Sequence, residues 1–127
     1  MKNTRRLLQI ESLLLLILAF LFINYQAMTP ATCDFGVTIQ DKVLHFLAFY
    51  LLSLLVDFAF PKTPFGAVKI MGLLGYGLAI EIAQSFMPYR CCSLYDLLAD
   101  VCGIALYLIS IPLWKHVPLL RERWEEE

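Results

Sequence analysis

Residues 94–113, LYDLLADVCGIALYLISIPL, decide the fold. The stretch has the length a helix needs to cross about 30 Å of hydrocarbon, roughly 20 residues. Asp96, Asp100 and Gly103 are spaced by four and then three residues, so they share one helical face. Carboxylates are costly against lipid, which turns that face toward other helices. Gly103 on the same face lets a neighbour come close.

Three further apolar stretches precede it, at about residues 7–25, 39–60 and 65–87, while 114–127 forms a tail. Pro61 and Pro64 close the second stretch, Pro88 closes the third, and Pro112 lies near the end of the fourth. Open strands cannot satisfy their backbone in lipid, so all four read as helices. Composition agrees: 60% of residues are hydrophobic and 17% charged, against about 45–50% and about 25% in soluble domains. A net charge of −1 gives no basic surface for nucleic acid. The chain is 127 residues long, enough for one small domain. The expected fold is therefore all-α, an integral membrane bundle of four transmembrane helices in a single domain.

Lys and Arg are segregated along the chain. Lys2, Arg5, Arg6, Lys62, Lys69, Lys115, Arg121 and Arg123 flank one set of helix ends, and only Lys42 and Arg90 flank the other. The positive-inside rule then places both termini in the cytoplasm of a multi-pass plasma-membrane protein. Lys2, Arg5 and Arg6 before an apolar core also suit a signal peptide. No small-x-small motif follows, since residues 24–27 read Asn-Tyr-Gln-Ala, so the first helix is expected to be retained.

The ionisable residues sort by depth. Glu11, Asp57 and Lys69 lie near the cytoplasmic ends and read as interfacial side chains. A second set converges at the outer ends: Asp41, Lys42 and His45 in the second helix, Glu81 and Gln84 in the third with Arg90 beyond it, and Asp96 and Asp100 in the fourth. Spacings of three and four put each pair on one face. Asp41 in Thr38-x-x-Asp41 and Asp96 in Ser93-x-x-Asp96 have capping-box spacing and could serve only to start helices. Glu81, Asp100 and His45 lie a turn or more inside and require partners. A purely structural ion-pair network among Lys42, His45, Arg90 and the carboxylates competes with a functional reading. Gly72, Gly75 and Gly77 in the third helix are further points for close approach. Of the cysteines, Cys33 is positioned to bond Cys91 or Cys92 across the outer loops if that side is oxidising.

Three blocks taken together, Asp41-Lys42-x-x-His45-Phe46-x-x-Phe49, Glu81-x-x-Gln84-x-Phe86-x-Pro88-x-Arg90, and Ser93-x-x-Asp96 with Gly103, resemble the VanZ-like family of bacterial membrane proteins. The resemblance runs from about Thr38 to Tyr107. It implies a small multi-helix membrane domain. The family's namesake is associated with low-level resistance to the glycopeptide teicoplanin, without an established catalytic activity. Many members carry Asn at the position of Asp100, which implies that a negative charge there is not obligatory.

Two functions of different class follow. The first is a non-enzymatic envelope protein whose outer-leaflet pocket holds a membrane lipid, a lipid-linked envelope precursor or a lipoglycopeptide. Arg90 and Lys42 would meet its anionic group, and Asp41, His45, Glu81, Gln84, Asp96 and Asp100 would shape the pocket. This reading requires no cofactor. The alternative is a membrane-embedded enzyme acting on a lipid headgroup, with a divalent metal on His45, Glu81, Asp96 and Asp100, or with His45 and a carboxylate as base and acid. Four helices leave little room for a transporter's alternating access.

Overall fold

The computed structural model describes residues 2–29, 35–87 and 94–125, and for residues 35–39 and 41 the backbone alone. The order is α1 (Lys2–Met28), α2 (Phe35–Ala59), α3 (Ala67–Ser85) and α4 (Leu94–Trp114), with a single 3-10 turn at Arg121–Arg123 in the tail. All four helices are long and apolar enough to cross a membrane. The chain is a multi-pass membrane protein.

Two boundaries differ from the sequence reading for simple reasons. α1 runs through the charged flank to Lys2, because nothing in Lys-Asn-Thr-Arg-Arg breaks a helix. α2 starts at Phe35, so Asp41 lies two turns inside it and is not a helix start. The capping role expected for Asp41 is not realised, and its side chain is outside the described residues. α2 ends where Pro61 and Pro64 remove donors, as expected.

The most extensive interface joins α2 to α4. Its face on α4 is a single stripe: Asp96, Asp100, Gly103, Tyr107 and Ser110 are all buried. At Gly103 the helices touch backbone to backbone. A Cβ there would collide with the Phe46 carbonyl and lie 2.9 Å from the Tyr50 nitrogen. Gly77 in α3 is also tight, against the Asp100 carboxylate and the Phe49 ring. Gly72 and Gly75 meet nothing within 4 Å, so the contact role expected of them is not borne out.

An apolar core of Leu16, Phe49, Leu52, Leu55, Ala59, Leu73 and Ile104 draws on every helix. α1 is the most peripheral, with Leu13, Leu14, Ile17, Leu18, Leu21 and Phe22 exposed as lipid-facing side chains would be. It is held to α3 by Tyr76, whose hydroxyl donates to Asn24 Oδ1 at 2.5 Å and whose ring meets Phe20 edge-on at 4.8 Å. Arg5 lies 3.9 Å from Glu125, so both chain termini share one end of the bundle.

Gly103→Ala is expected to lower the unfolding free energy by about 1–3 kcal/mol, because backbone on both helices must yield. Gly72→Ala, facing open space, should be neutral or stabilising by under about 1 kcal/mol. SDS titration of the purified protein reads both, and equal effects would contradict this placement of the interface.

Candidate functional site

The end of the bundle opposite the termini gathers polar side chains from α2, α3 and α4. Lys42 Nζ donates to Asp96 Oδ1 at 3.2 Å. One turn deeper, His45 Nδ1 and Asp100 Oδ1 are 2.8 Å apart. An ionised carboxylate only accepts, so His45 Nδ1 is the donor of this contact. The two contacts repeat at a spacing of three on α2 and four on α4, as parallel stripes on packed helices require. Asp96 and Asp100 are fully buried, and the His45 side chain is 11% exposed.

α3 adds Glu81 and Gln84, both buried. Gln84 Nε2 donates to the Ala27 carbonyl of α1 at 3.2 Å, while its Oε1 is buried without a hydrogen-bond partner. One ligand atom each from His45, Glu81 and Asp96 lie within 4.8 Å of one another. The convergence expected from sequence is therefore present for Lys42, His45, Glu81, Gln84, Asp96 and Asp100. Asp96 is in the first turn of α4, but its role is not that of a cap. One oxygen holds Lys42 and the other, also buried, has no hydrogen-bond partner. Arg90, Ser93 and the proposed pairing of Cys33 with Cys91 or Cys92 lie outside the described residues.

A cavity of about 560 Å³ opens beside this cluster. Its walls are apolar side chains of α1 and α2, among them Leu15, Leu18, Phe22, Leu44 and Leu51. Polar groups reach it from Gln26, His45 and Gln84.

The opposite end contains a cluster that the sequence reading missed. Asp57 and Lys69 are not interfacial side chains: Asp57 is fully buried and Lys69 nearly so. Asp57 Oδ1 accepts from Arg123 Nη2 at 2.6 Å and from Lys69 Nζ at 3.2 Å, while Oδ2 accepts from Tyr107 at 2.5 Å. Lys69 also donates to the Phe60 and Thr63 carbonyls, and Arg123 to those of Asp57 and Thr63. Both cations thus satisfy carbonyls at the C-terminus of α2, where the helix dipole also favours positive charge. The tail is folded under the bundle by Arg123, with Trp124 edge-on to Phe58 at 5.4 Å. One part of this was legible: Tyr107 continues the 96, 100, 103 stripe. The reach of Arg123 depends on the turns after Trp114, for which no local spacing gives a signal.

The profile of the VanZ/LLP1 family matches residues 4–115. The chain belongs to the VanZ/LLP1 family. An uncharacterised protein of Schizosaccharomyces pombe is 35% identical over 109 residues, covering 83% of this chain and 62% of the relative. The chain thus spans less than two thirds of that relative's length. A fungal relative also means that the resemblance alone does not assign the chain to a bacterial membrane. No solved structure matches.

Asp57→Ala strips a buried partner from Lys69, Arg123 and Tyr107 together. It should cost about 3–5 kcal/mol, whereas Glu11→Ala on the exposed side of α1 should stay within about 0.5 kcal/mol. Thermal unfolding in detergent compares them, and similar midpoints would place Asp57 at the interface after all.

Proposed function

We propose that this protein binds a membrane lipid or glycolipid, with an acyl chain in the cavity between α1 and α2 and the headgroup over the His45–Gln84 end. The observation that carries this reading is the form of the cavity. Its volume of about 560 Å³ falls within the roughly 300–1,000 Å³ of ligand pockets. Its walls are apolar along α1 and α2, and its polar groups are few. An amphiphile matches that distribution, with its polar part meeting His45 and Gln84 and its chain meeting Leu and Phe side chains. Lys42, partly exposed on Asp96, is the described cation nearest in sequence to His45 and suits an anionic headgroup. The bias of Lys and Arg toward the other end supports an outward-facing site in the outer leaflet of a plasma membrane. A lipid-linked envelope precursor or a lipid-bearing glycopeptide such as teicoplanin has the same two-part chemistry, and an influence on glycopeptide susceptibility would follow from such binding.

A second reading, a membrane-embedded enzyme acting on that headgroup, is favoured by the His45–Asp100 pair. A carboxylate that fixes the tautomer of a buried imidazole is also how a general base is oriented.

Native mass spectrometry of gently extracted protein should retain a bound lipid in the wild type. Ala48→Trp, which fills the cavity from α2, should abolish retention while leaving helical content unchanged. Added phosphatidylglycerol, a neutral glycolipid and teicoplanin compete to identify the headgroup class. Equal lipid retention by wild type and Ala48→Trp would sink the proposal, and headgroup cleavage during incubation would select the enzyme.

A further inference from the structure

We propose that His45, Glu81 and Asp96 form a binding site for one divalent cation of the first transition row, Zn²⁺ or Mn²⁺, with Asp100 orienting the histidine.

The donors come from three helices and meet within 4.8 Å in buried surroundings. Two bonds of about 2.1 Å place donors at most about 4.2 Å apart. The widest pair therefore closes by at least about half an ångström on binding, and by roughly 1.4 Å at the ~3.4 Å donor spacing of a tetrahedral ion, through rotation of the side chains. Asp96 supplies the independent sign of a ligand. Its side chain is fully buried, Lys42 occupies Oδ1, and Oδ2 is buried with no hydrogen-bond partner. A buried carboxylate oxygen in that condition is costly and calls for an explanation, of which an ion is one.

The histidine is arranged as a ligand. Metal-bound imidazoles almost always give their second N–H to a carboxylate or carbonyl, which fixes the tautomer and raises ligand basicity. His45 Nδ1 is engaged by Asp100 at 2.8 Å, so a metal would be taken by the other ring nitrogen. Asp100 is itself held in place, since its Oδ2 rests where Gly77 lacks a side chain; a Cβ there would lie 2.6 Å away. One imidazole nitrogen with two carboxylates favours Zn²⁺ or Mn²⁺ over Ca²⁺, which takes oxygen ligands alone. Three protein donors leave at least one position open, as in catalytic rather than structural zinc sites. The site does not depend on occupancy of the lipid cavity, and the metal alone tests it.

Purified full-length protein is stripped with chelator, incubated with Mn²⁺ and read by electron paramagnetic resonance; a parallel sample with Zn²⁺ is desalted and its metal measured. The wild type should hold one ion per chain, and added ion should raise its thermal midpoint. His45→Ala and Asp96→Asn should abolish binding, with His45→Gln as a better-folding substitute and circular dichroism confirming helical content. Asp100→Asn, which retains a hydrogen-bond acceptor, should weaken binding by no more than roughly 10–100-fold. Folded wild type that takes up neither ion at millimolar concentration would overturn the proposal. So would undiminished binding by Asp96→Asn. A metal-free wild type together with a Glu81→Gln variant of equal or greater stability would identify a shared proton as the occupant and equally overturn it.

Discussion

The structure depends on the close approach of α4 to α2 at Gly103. Because no side chain separates the helices there, the Phe46 carbonyl and the Tyr50 nitrogen lie against the α4 backbone. That contact fixes register in both directions along the interface. Toward one end it brings Asp100 to His45 and Asp96 to Lys42. Toward the other it brings Tyr107 to Asp57 and Ser110 to Tyr50. In this second direction the hydroxyls form a chain: Trp114 donates to Tyr50, Tyr50 to Ser110, and Ser110 to the Tyr107 carbonyl. Lipid offers no competing partners, so such polar contacts have to be completed inside the protein.

The two ends resolve the same constraint differently. Around Asp57 the charges are close to self-sufficient, with both carboxylate oxygens engaged and both cations shared with backbone carbonyls. That is the pattern of a clasp, tying α2, α3, α4 and the tail together. Around Asp96 the pattern is incomplete, because Asp96 Oδ2 and Gln84 Oε1 are buried without hydrogen-bond partners. Buried polar atoms left without a partner are costly, so the two ends differ in how completely they satisfy the same constraint.

Much of this was legible from spacing. The Asp96, Asp100, Gly103 stripe predicts the inward face of α4, and Asp41 to His45 with Glu81 to Gln84 predicts which helices carry the polar layer, because helical periodicity is a local property. What spacing could not give was pairing. Asp57 and Lys69 look interfacial by position along their helices, since burial depends on what covers them, and the cover is Arg123 in the tail. Gly72 and Gly75 resemble Gly77 in sequence, yet only Gly77 faces a neighbour. A glycine marks a contact only when its helix is rotated to present it, and that rotation is set by the whole bundle. Asp41 follows the same rule: a capping signature presumes a helix start that α2 passes two turns earlier.

The α2–α4 register pairs the buried polar residues, and the His45–Asp100 contact is its most direct expression. A double-mutant cycle with His45→Ala, Asp100→Ala and the combined variant, measured by unfolding in detergent, isolates their coupling. A coupling of about 1 kcal/mol or more is predicted for a buried contact of this kind. Additive effects, with no coupling beyond about 0.3 kcal/mol, would mean that the two side chains do not meet and would contradict the register on which the site is built.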